Sequence, residues 1–572
     1  MRGLACVTAC VLWGVGAVAA RAQQVPAAVS CHGQRIDAVD ITSRAPSVAG
    51  VRRVPLVADI ARAVHVTTKP DVISRFLLLQ PGDRCSLTRI RESERILRAQ
   101  PFLADATITV LPSDSGRVRL EVQTIDEVAA VFSATMKAKA PVLTGLRLGE
   151  ANAGGQGVYV AGRWWKEDAL RDGFAFRATD YQFLGRPYQA TASAARNPLG
   201  GDYHFDIQRP FLTDLQRVAW RVQRGEADDY IRFVDGARVV HADRLSRNYA
   251  DVGGVARIGA PGRLALVGFS VSRESAYAGD APVLLTPQGT RPDSAFPLDG
   301  RYASLSTARV NALLGYRNLK YVRTRGFDGL RNVQDIPVGI QIGTLFGKSA
   351  AFLGSHDRDM LVGADLYAAQ ATRTSALRLQ VEGEARRAAD SSQWDGVIGS
   401  GRLARYQRIG QSQLFLTSLE WGGGWRVRVP FRMTLAGTEG GVRGMAEGIE
   451  QGGRRAVLRL EERMTLGTPL DGTADFGVAF FADAGKLWAG DVPFGTTTPV
   501  RYSAGVSLLA AVPSRSARMW RLDVAFPNVP GRGVRLALRL SHSDESLGFW
   551  NEPRDVALAR QRSVPTSLFN WP

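Results

Sequence analysis

From Val128 onward the chain alternates apolar and polar residues with a period of two, run after run, and almost nowhere with the period of a helix. Leu377, Leu379 and Val381 alternate with Arg378, Gln380 and Glu382. Val534, Leu536, Leu538 and Leu540 alternate with Arg535, Ala537, Arg539 and Ser541. Successive side chains of a strand point to opposite faces, so each run builds a sheet with one apolar and one polar or charged face. Gly-, Asp- and Asn-rich breaks separate further runs at Val158–Trp164, Phe174–Tyr181, Tyr188–Ala194, Leu264–Val271 and Val427–Leu435. A chain of 572 residues exceeds a single soluble core, which stops growing near ~250–300 residues. Its 60 glycines and 45% hydrophobic content exclude collagen, disorder and a helical membrane bundle. After the N-terminus no run of roughly 18 apolar residues occurs, so no second helix would span a bilayer. The pattern predicts a mainly β fold: a transmembrane antiparallel barrel over residues 127–545, of about 16 strands at roughly 10 residues per crossing. The charged face would meet a wet lumen. Trp164, Trp165, Trp220, Trp421, Trp425, Trp488 and Trp520 fall near run ends, as interfacial girdles require.

The first 22 residues read as a secretory signal peptide: Arg2, an apolar stretch Leu4–Ala20, then Ala20-Arg21-Ala22 with small residues where a signal peptidase reads. Cys6 and Cys10 would leave with it. Cys31 and Cys85 remain, and an oxidising compartment makes them a candidate disulfide, with two unrelated thiols as the alternative. Residues 31–126 form a separate module. Ile36, Val39 and Ile41 suggest a strand, and Pro55–Val64 a short helix. Thr68 is placed to cap a helix that begins at Pro70, with Asp71 returning the bond and Val72, Ile73, Phe76, Leu77 and Leu79 on one face. Pro81-Gly82-Asp83 stops it, and Ser86 opens a second helix that Pro101 ends. Ala106–Leu111 and Arg117–Val122 alternate around Pro112-Ser113-Asp114-Ser115-Gly116 and read as a hairpin. The order strand, helix, helix, strand, strand predicts a three-stranded sheet covered by two helices, with the helix–helix turn beside the start of the first strand. Cys31 and Cys85 would then be near neighbours.

That layout resembles a POTRA domain, the periplasmic module of outer-membrane assembly and secretion barrels; the likeness is carried by the stretch from His65 to Val110 and includes Pro81-Gly82-Asp83 between the helices. A second resemblance lies in the barrel. Gly441-Val442-Arg443-Gly444-Met445, then Leu458-Arg459-Leu460-Glu461-Glu462-Arg463, then Phe480-Phe481-Ala482-Asp483-Ala484-Gly485 are similar to the motifs of the BamA/TamA family, also called the bacterial surface antigen family. The resemblance implies a long loop that folds back into the barrel, with a tip at Val442, Arg443 and Gly444 that meets acids on the inner wall at Glu461 and Asp483. Alternation agrees for the first acid: if Leu458 and Leu460 face lipid, Arg459 and Glu461 face the lumen. Met445 and Glu462 stand where the family has aromatics, and residues 546–572 run on as a tail past the expected last strand. Gly533, Leu536 and Leu538 fit the polar-Gly-spacer-apolar pattern of an outer-membrane insertion signal.

The chain lacks the patterns of common catalytic sites. No His-Glu-x-x-His or Gly-x-Ser-x-Gly run occurs, and Ile342–Ser349 ends like a phosphate-binding loop but has its first glycine one residue too close. No enzyme, cofactor or metal is expected. The formal charge of +18 permits nucleic acid, anionic lipid or lipopolysaccharide. The barrel reading takes outer-membrane lipid and lipopolysaccharide and no nucleic acid. The resemblance implies outer-membrane protein assembly, insertion or translocation in a Gram-negative cell, with unfolded outer-membrane or secreted clients and accessory lipoproteins as partners. The alternatives are a two-partner-type pore for one exoprotein and a passive anion-preferring porin.

Overall fold

The computed structural model describes residues 28–560, apart from 47–65, 137–142, 297–301, 543–549 and a few loop positions in runs of up to three. The expected signal peptide and the expected helix at Pro55–Val64 lie outside the described residues. The N-terminal domain holds β1 (Ile36–Arg44), α1 (Pro70–Ser74), α2 (Leu87–Arg98), β2 (Leu103–Pro112) and β3 (Val118–Asp126). β3 is the central strand, parallel to β1 and antiparallel to β2. Val72, Ile73, Phe76, Ile90, Leu97 and Leu120 pack the core between the sheet and both helices.

Two local expectations are corrected. Thr68 does not cap α1: its N–H and hydroxyl both donate to Asp126, at 2.7 and 2.8 Å, and Lys69 takes the N-cap position. The helix is also shorter than its apolar face. The chain leaves it at Arg75, and the N–H of Leu78 donates to the Ser93 hydroxyl of α2 instead of to a carbonyl of its own helix. In both cases a tertiary partner displaces the local bond.

The remainder closes into one barrel. Six short staves come first: β4 (Ala130–Met136), β5 (Leu143–Glu150), β6 (Val158–Trp165), β7 (Gly173–Asp180), β8 (Gln189–Asn197) and β9 (Gly200–Arg209). Five tall ones follow: β10 (Val218–Val234), β11 (Val240–Ala260), β12 (Arg263–Ala278), β13 (Leu305–Arg325) and β14 (Val333–Ser349). Then come β15 (Asp359–Ala371), β16 (Ser375–Ala388), β17 (Asp395–Ile409), β18 (Gln413–Trp425), β19 (Arg454–Gly467), β20 (Asp475–Trp488), β21 (Arg501–Ala511), β22 (Trp520–Val529) and β23 (Ala537–His542). β23 lies beside β4 and completes the ring. The described residues therefore form twenty staves, not about 16. The difference arises in the first arc, where six staves fit between Ala130 and Arg209 because they are short and tightly turned.

The outer face is apolar, as a bilayer demands of a closed barrel. Leu458 and Leu460 on β19 point outward at 41% and 46% exposure, while Glu461 between its neighbours points inward and is buried. Phe174 and Phe176 on β7, and Ile340, Ile342 and Phe346 on β14, are likewise exposed. Trp425 and Trp488 close the far ends of β18 and β20 on this face. Several inward charges are paired: Asp359 takes Arg309 and Arg386, and Arg317 takes Asp214.

The N-terminal domain sits against one end of the barrel. Arg98 reaches Asp335 at 2.5 Å, Arg323 reaches Glu94 at 2.6 Å, and the Thr213 hydroxyl donates to Glu92 at 2.6 Å. Asn152, in the turn between β5 and β6, donates to the Thr68 hydroxyl. Between β3 and β4, Glu127 is buried and accepts the Ser516 hydroxyl at 2.7 Å. Burial pushes the Glu127 carboxyl up from its ordinary range, opposed by Arg518 and Ser516.

Candidate functional site: the inner loop tip

Residues 426–453 join β18 to β19, and those described, 426–446 and 450–453, fold back into the lumen. An alternating apolar stretch drives this. Val427, Val429, Phe431, Met433 and Leu435 are all buried, in a cluster with Leu245, Val457 and Leu487 of the wall. The expected run Val427–Leu435 is thus no stave but the descending limb of this loop; only Met433–Thr434 pairs, with Gln451–Gly452. A soluble loop would not bury this face, so the lumen is packed here and not simply wet.

At its lowest point the loop makes a tight turn. The N–H of Val442 donates to the Leu435 carbonyl and that of Gly441 to the Ala436 carbonyl. Gly444 has φ +81°, and a Cβ there would stand 2.8 Å from the Ala525 Cβ of β22 and 3.2 Å from the Ala537 Cβ of β23. Only glycine allows both the left-handed turn and that approach. Val442 is wholly buried and seats on Gly485, where a Cβ would meet its Cγ2 at 2.7 Å. The glycine two residues after Asp483 therefore makes room for the valine of the tip.

Arg443 lies between the two acids. Its Nε and Nη2 donate to Asp483 at 2.8 and 2.6 Å, its backbone N–H adds a third bond at 3.0 Å, and Nη1 donates to Glu461 at 2.5 Å. The register explains the fork: Asp483 pairs across from Arg459 and Phe481 from Glu461, so the two carboxylates are diagonal neighbours on the lumen face. The guanidinium also lies 3.8 Å from the Phe481 ring centroid, over an aromatic face.

Several partners were not singled out from the sequence. Arg521 on β22 donates to both oxygens of Glu461, at 3.0 and 2.8 Å, and to Asp523 at 2.6 Å. Arg463 takes Glu461 at 2.5 Å. Three arginines and three carboxylates (Arg443, Arg463, Arg521; Glu461, Asp483, Asp523) thus form one compact group with no net charge, which is the condition for burying charge at low cost. Arg459 donates to the carbonyls of Gly440 and Gly441, and Arg539 of β23 to that of Gly437. The i, i+2 spacing of Arg521 and Asp523 was a legible lumen-face signal. The tip is therefore bound both to the β19–β20 wall and to the closing strand.

The other candidate residues lie apart from this site. Cys31 and Cys85 are joined, with Cα atoms 5.6 Å apart, at the start of the N-terminal domain. Gly533 occupies a left-handed turn where Gly533–Val534 folds back on β22, Leu536 lies in the break that follows, and Leu538 is on β23. Leu536 and Leu538 are both exposed on the outer face. The last strand therefore starts at Ala537, later than its alternating pattern begins.

No protein-family model matches the chain, and no curated protein does. Among solved structures it is similar to BamA from Haemophilus ducreyi lacking POTRA domains 1–3, at 13% identity and TM-score 0.36, covering 89% of this chain and 85% of that one. It is also similar to CdiB from Escherichia coli, at 12% identity and TM-score 0.39, covering 89% of this chain and 75% of that one. CdiB from Acinetobacter baumannii gives 9% identity and TM-score 0.40, covering 89% and 73%. At these TM-scores the likenesses carry no weight of their own, and the site stands on its geometry: a twenty-stave barrel whose inner loop is fastened to the wall by a forked arginine.

Proposed function

We propose that this chain is an outer-membrane barrel that inserts or translocates other proteins, with its N-terminal domain acting as a POTRA module in the periplasm. The observation that carries this reading is the tip of the inner loop, held by Arg443 on Asp483 and Glu461 and touching the closing strand through Gly444 and Arg539. A loop so placed couples the lumen to the seam. Among the described residues the ring is also lowest there: β23 has 6 residues and β4 has 7, against 17 to 21 in β10, β11, β13 and β14. At ~3.3 Å per residue and ~45° tilt, an eight-residue stave rises only about 19 Å, well short of a ~30 Å hydrocarbon core. A bilayer thins to meet so short a wall, at a cost that favours strand entry beside it.

The client would first add a strand to the N-terminal sheet. The outer edge of β2 is already occupied: Ile108 N–H donates to Glu94, the Ala106 carbonyl accepts from Arg98, and the Val110 carbonyl accepts from Val29. Beyond Ile36, the outer edge of β1 has no backbone partner among the described residues. β1 is thus the edge for a client strand. Outer-membrane lipid, lipopolysaccharide and accessory lipoproteins complete the partners of this reading.

Deleting the gene and comparing outer-membrane proteomes tests it. Broad loss of barrel proteins supports assembly, and loss of one exoprotein supports dedicated secretion. An unchanged proteome with altered anion permeability overturns the proposal in favour of a passive porin.

A further inference from the structure

The C-terminal tail enters the barrel. β22 begins beside the N-terminal domain, where Arg518 donates to the Pro101 carbonyl, and antiparallel β23 returns to that same end. Past residues 543–549, Trp550 packs near Phe327 and Tyr406 inside the wall. A short helix, α3 (Arg554–Ala559), then lies higher in the lumen, beside β18 and β19.

Four contacts make this a built site. Val556 is wholly buried and faces Gly422, where a Cβ would lie 3.3 Å from its Cγ2, so the wall is bare where the valine seats. Asp555 takes Arg455 at 3.1 Å, and the same guanidinium donates to the Thr434 carbonyl of the inner loop. Arg247 caps the end of the helix by donating to the carbonyls of Ala559 and Arg560, at 3.2 and 2.6 Å. Arg560 donates to Glu382 and Glu552 at 2.8 Å and to Glu384 at 3.3 Å, with Glu382 and Glu384 both on the lumen face of β16. Two cavities border the helix: one of ≈ 40 Å³ beside Ala559, Arg247 and Glu384, room for a few waters at most, and one of ≈ 280 Å³ between Arg554, Ala557 and Leu558 and the wall residues Asp202 and Asp229.

We infer that the lumen wall carries a binding site for a short helical peptide that ends in arginine, and that the chain fills this site with its own residues 550–560 as a removable plug. The receptor supplies an acidic pair for the guanidinium, a bare glycine for one aliphatic side chain and an arginine for the helix C-terminus. The occupant can leave because its helix buries only Val556 and Ala559 and is otherwise held by ion pairs and by the hydrogen bonds from Arg247. The inner loop, fixed to strands at both ends, cannot. A basic segment of a passing polypeptide matches the same receptor. This inference concerns the lumen and does not depend on whether the chain assembles proteins.

Two experiments test it in the folded barrel. In the full chain carrying Val556→Cys, a membrane-impermeant maleimide reports how often the plug leaves; Cys31 and Cys85 are joined and do not compete. Adding Arg560→Ala is expected to accelerate labelling, and adding Glu382→Gln with Glu384→Gln to do the same from the wall side. In planar bilayers, a chain ending at residue 545 is expected to show open events that the full chain lacks. A synthetic peptide of residues 550–560 should restore the block, and the same peptide with Arg560→Ala should not. Equal labelling rates with and without Arg560 overturn the inference, as does a folded truncated barrel that conducts no more than the full chain. Should the truncated chain yield no heat-modifiable barrel, the labelling comparison decides alone.

Discussion

Among the described residues two segments enter the lumen, and each presents an arginine to carboxylates on the wall. The inner loop descends from the far end and delivers Arg443 to Asp483 and Glu461. The tail climbs from the domain end and delivers Arg560 to Glu382 and Glu384. They meet where Arg455 touches both. Their chemistry is alike, but their tethering is not. The loop is continuous with β18 and β19, so its pin is part of the barrel's own fold. The described residues of the tail, 550–560, belong to no stave, so its latch can open while the barrel stays closed. Removing the same side chain should thus cost the whole structure in one place and only a local docking in the other.

Arg443→Ala tests the first half of this contrast and should have the largest effect. It leaves Asp483, wholly buried at its side chain, without its forked partner, and breaking a buried ion pair in this way costs about 3–5 kcal/mol. The expected result is a lower denaturant midpoint in detergent and, under the proposed function, reduced client assembly in cells. A variant that unfolds with the wild type and assembles clients normally would mean the loop is not pinned by this residue.

The covalent closure of the N-terminal domain gives a scale for the other two. Cys31 and Cys85 are 54 residues apart in sequence, a loop for which chain entropy predicts about 4 kcal/mol as an upper figure. Cys31→Ser with Cys85→Ser should therefore destabilise the domain while leaving the barrel's heat-modifiable shift unchanged. Loss of the barrel band would show that domain and barrel fold as one unit.

Gly444→Ala probes the loop tip without touching a charge. The new methyl meets Ala525 at 2.8 Å in a backbone of φ +81°, a combination worth about 1–3 kcal/mol of strain. The tip should lift from β22 and β23, and spin labels on the loop and β23 should separate. Arg443→Lys should cost less still, because an ammonium keeps the charge but cannot fork onto two carboxylates. Its activity should fall between wild type and Arg443→Ala.

The two inserts also differ in how far the sequence announced them. The loop's arginine and both acids were legible because the tip and strand motifs stand in fixed order, and because alternation around Leu458 and Leu460 put Glu461 inward. The third arginine, Arg521, escaped notice although Arg521 and Asp523 share a strand face. The tail was read only as a continuation past the last strand. Nothing local marks Arg560 as a ligand for Glu382 and Glu384, whose positions lie far back on β16 and come into reach only when the barrel closes. The stave number was underestimated because it rested on chain length with long loops allowed between crossings, whereas strands such as Gln189–Asn197 and Gly200–Arg209 are separated by only two residues. Thr68 looked like a helix cap until Asp126, across the domain, took both its donors.

Arg560→Ala should have the smallest effect on stability and completes the comparison. Glu382, Glu384 and Glu552 lose their shared cation, and buried in place they would repel. The tail need not stay in place: it can withdraw toward the domain end, where water reaches the carboxylates it leaves behind. The barrel's unfolding midpoint should then shift by no more than a typical surface substitution, about 0.5 kcal/mol. Protease added on the domain side should nonetheless cut the tail faster than in wild type, because the latch governs docking and not folding. A large drop in the barrel's midpoint would make the tail as integral as the inner loop, and the distinction between a pinned segment and a latched one would not hold.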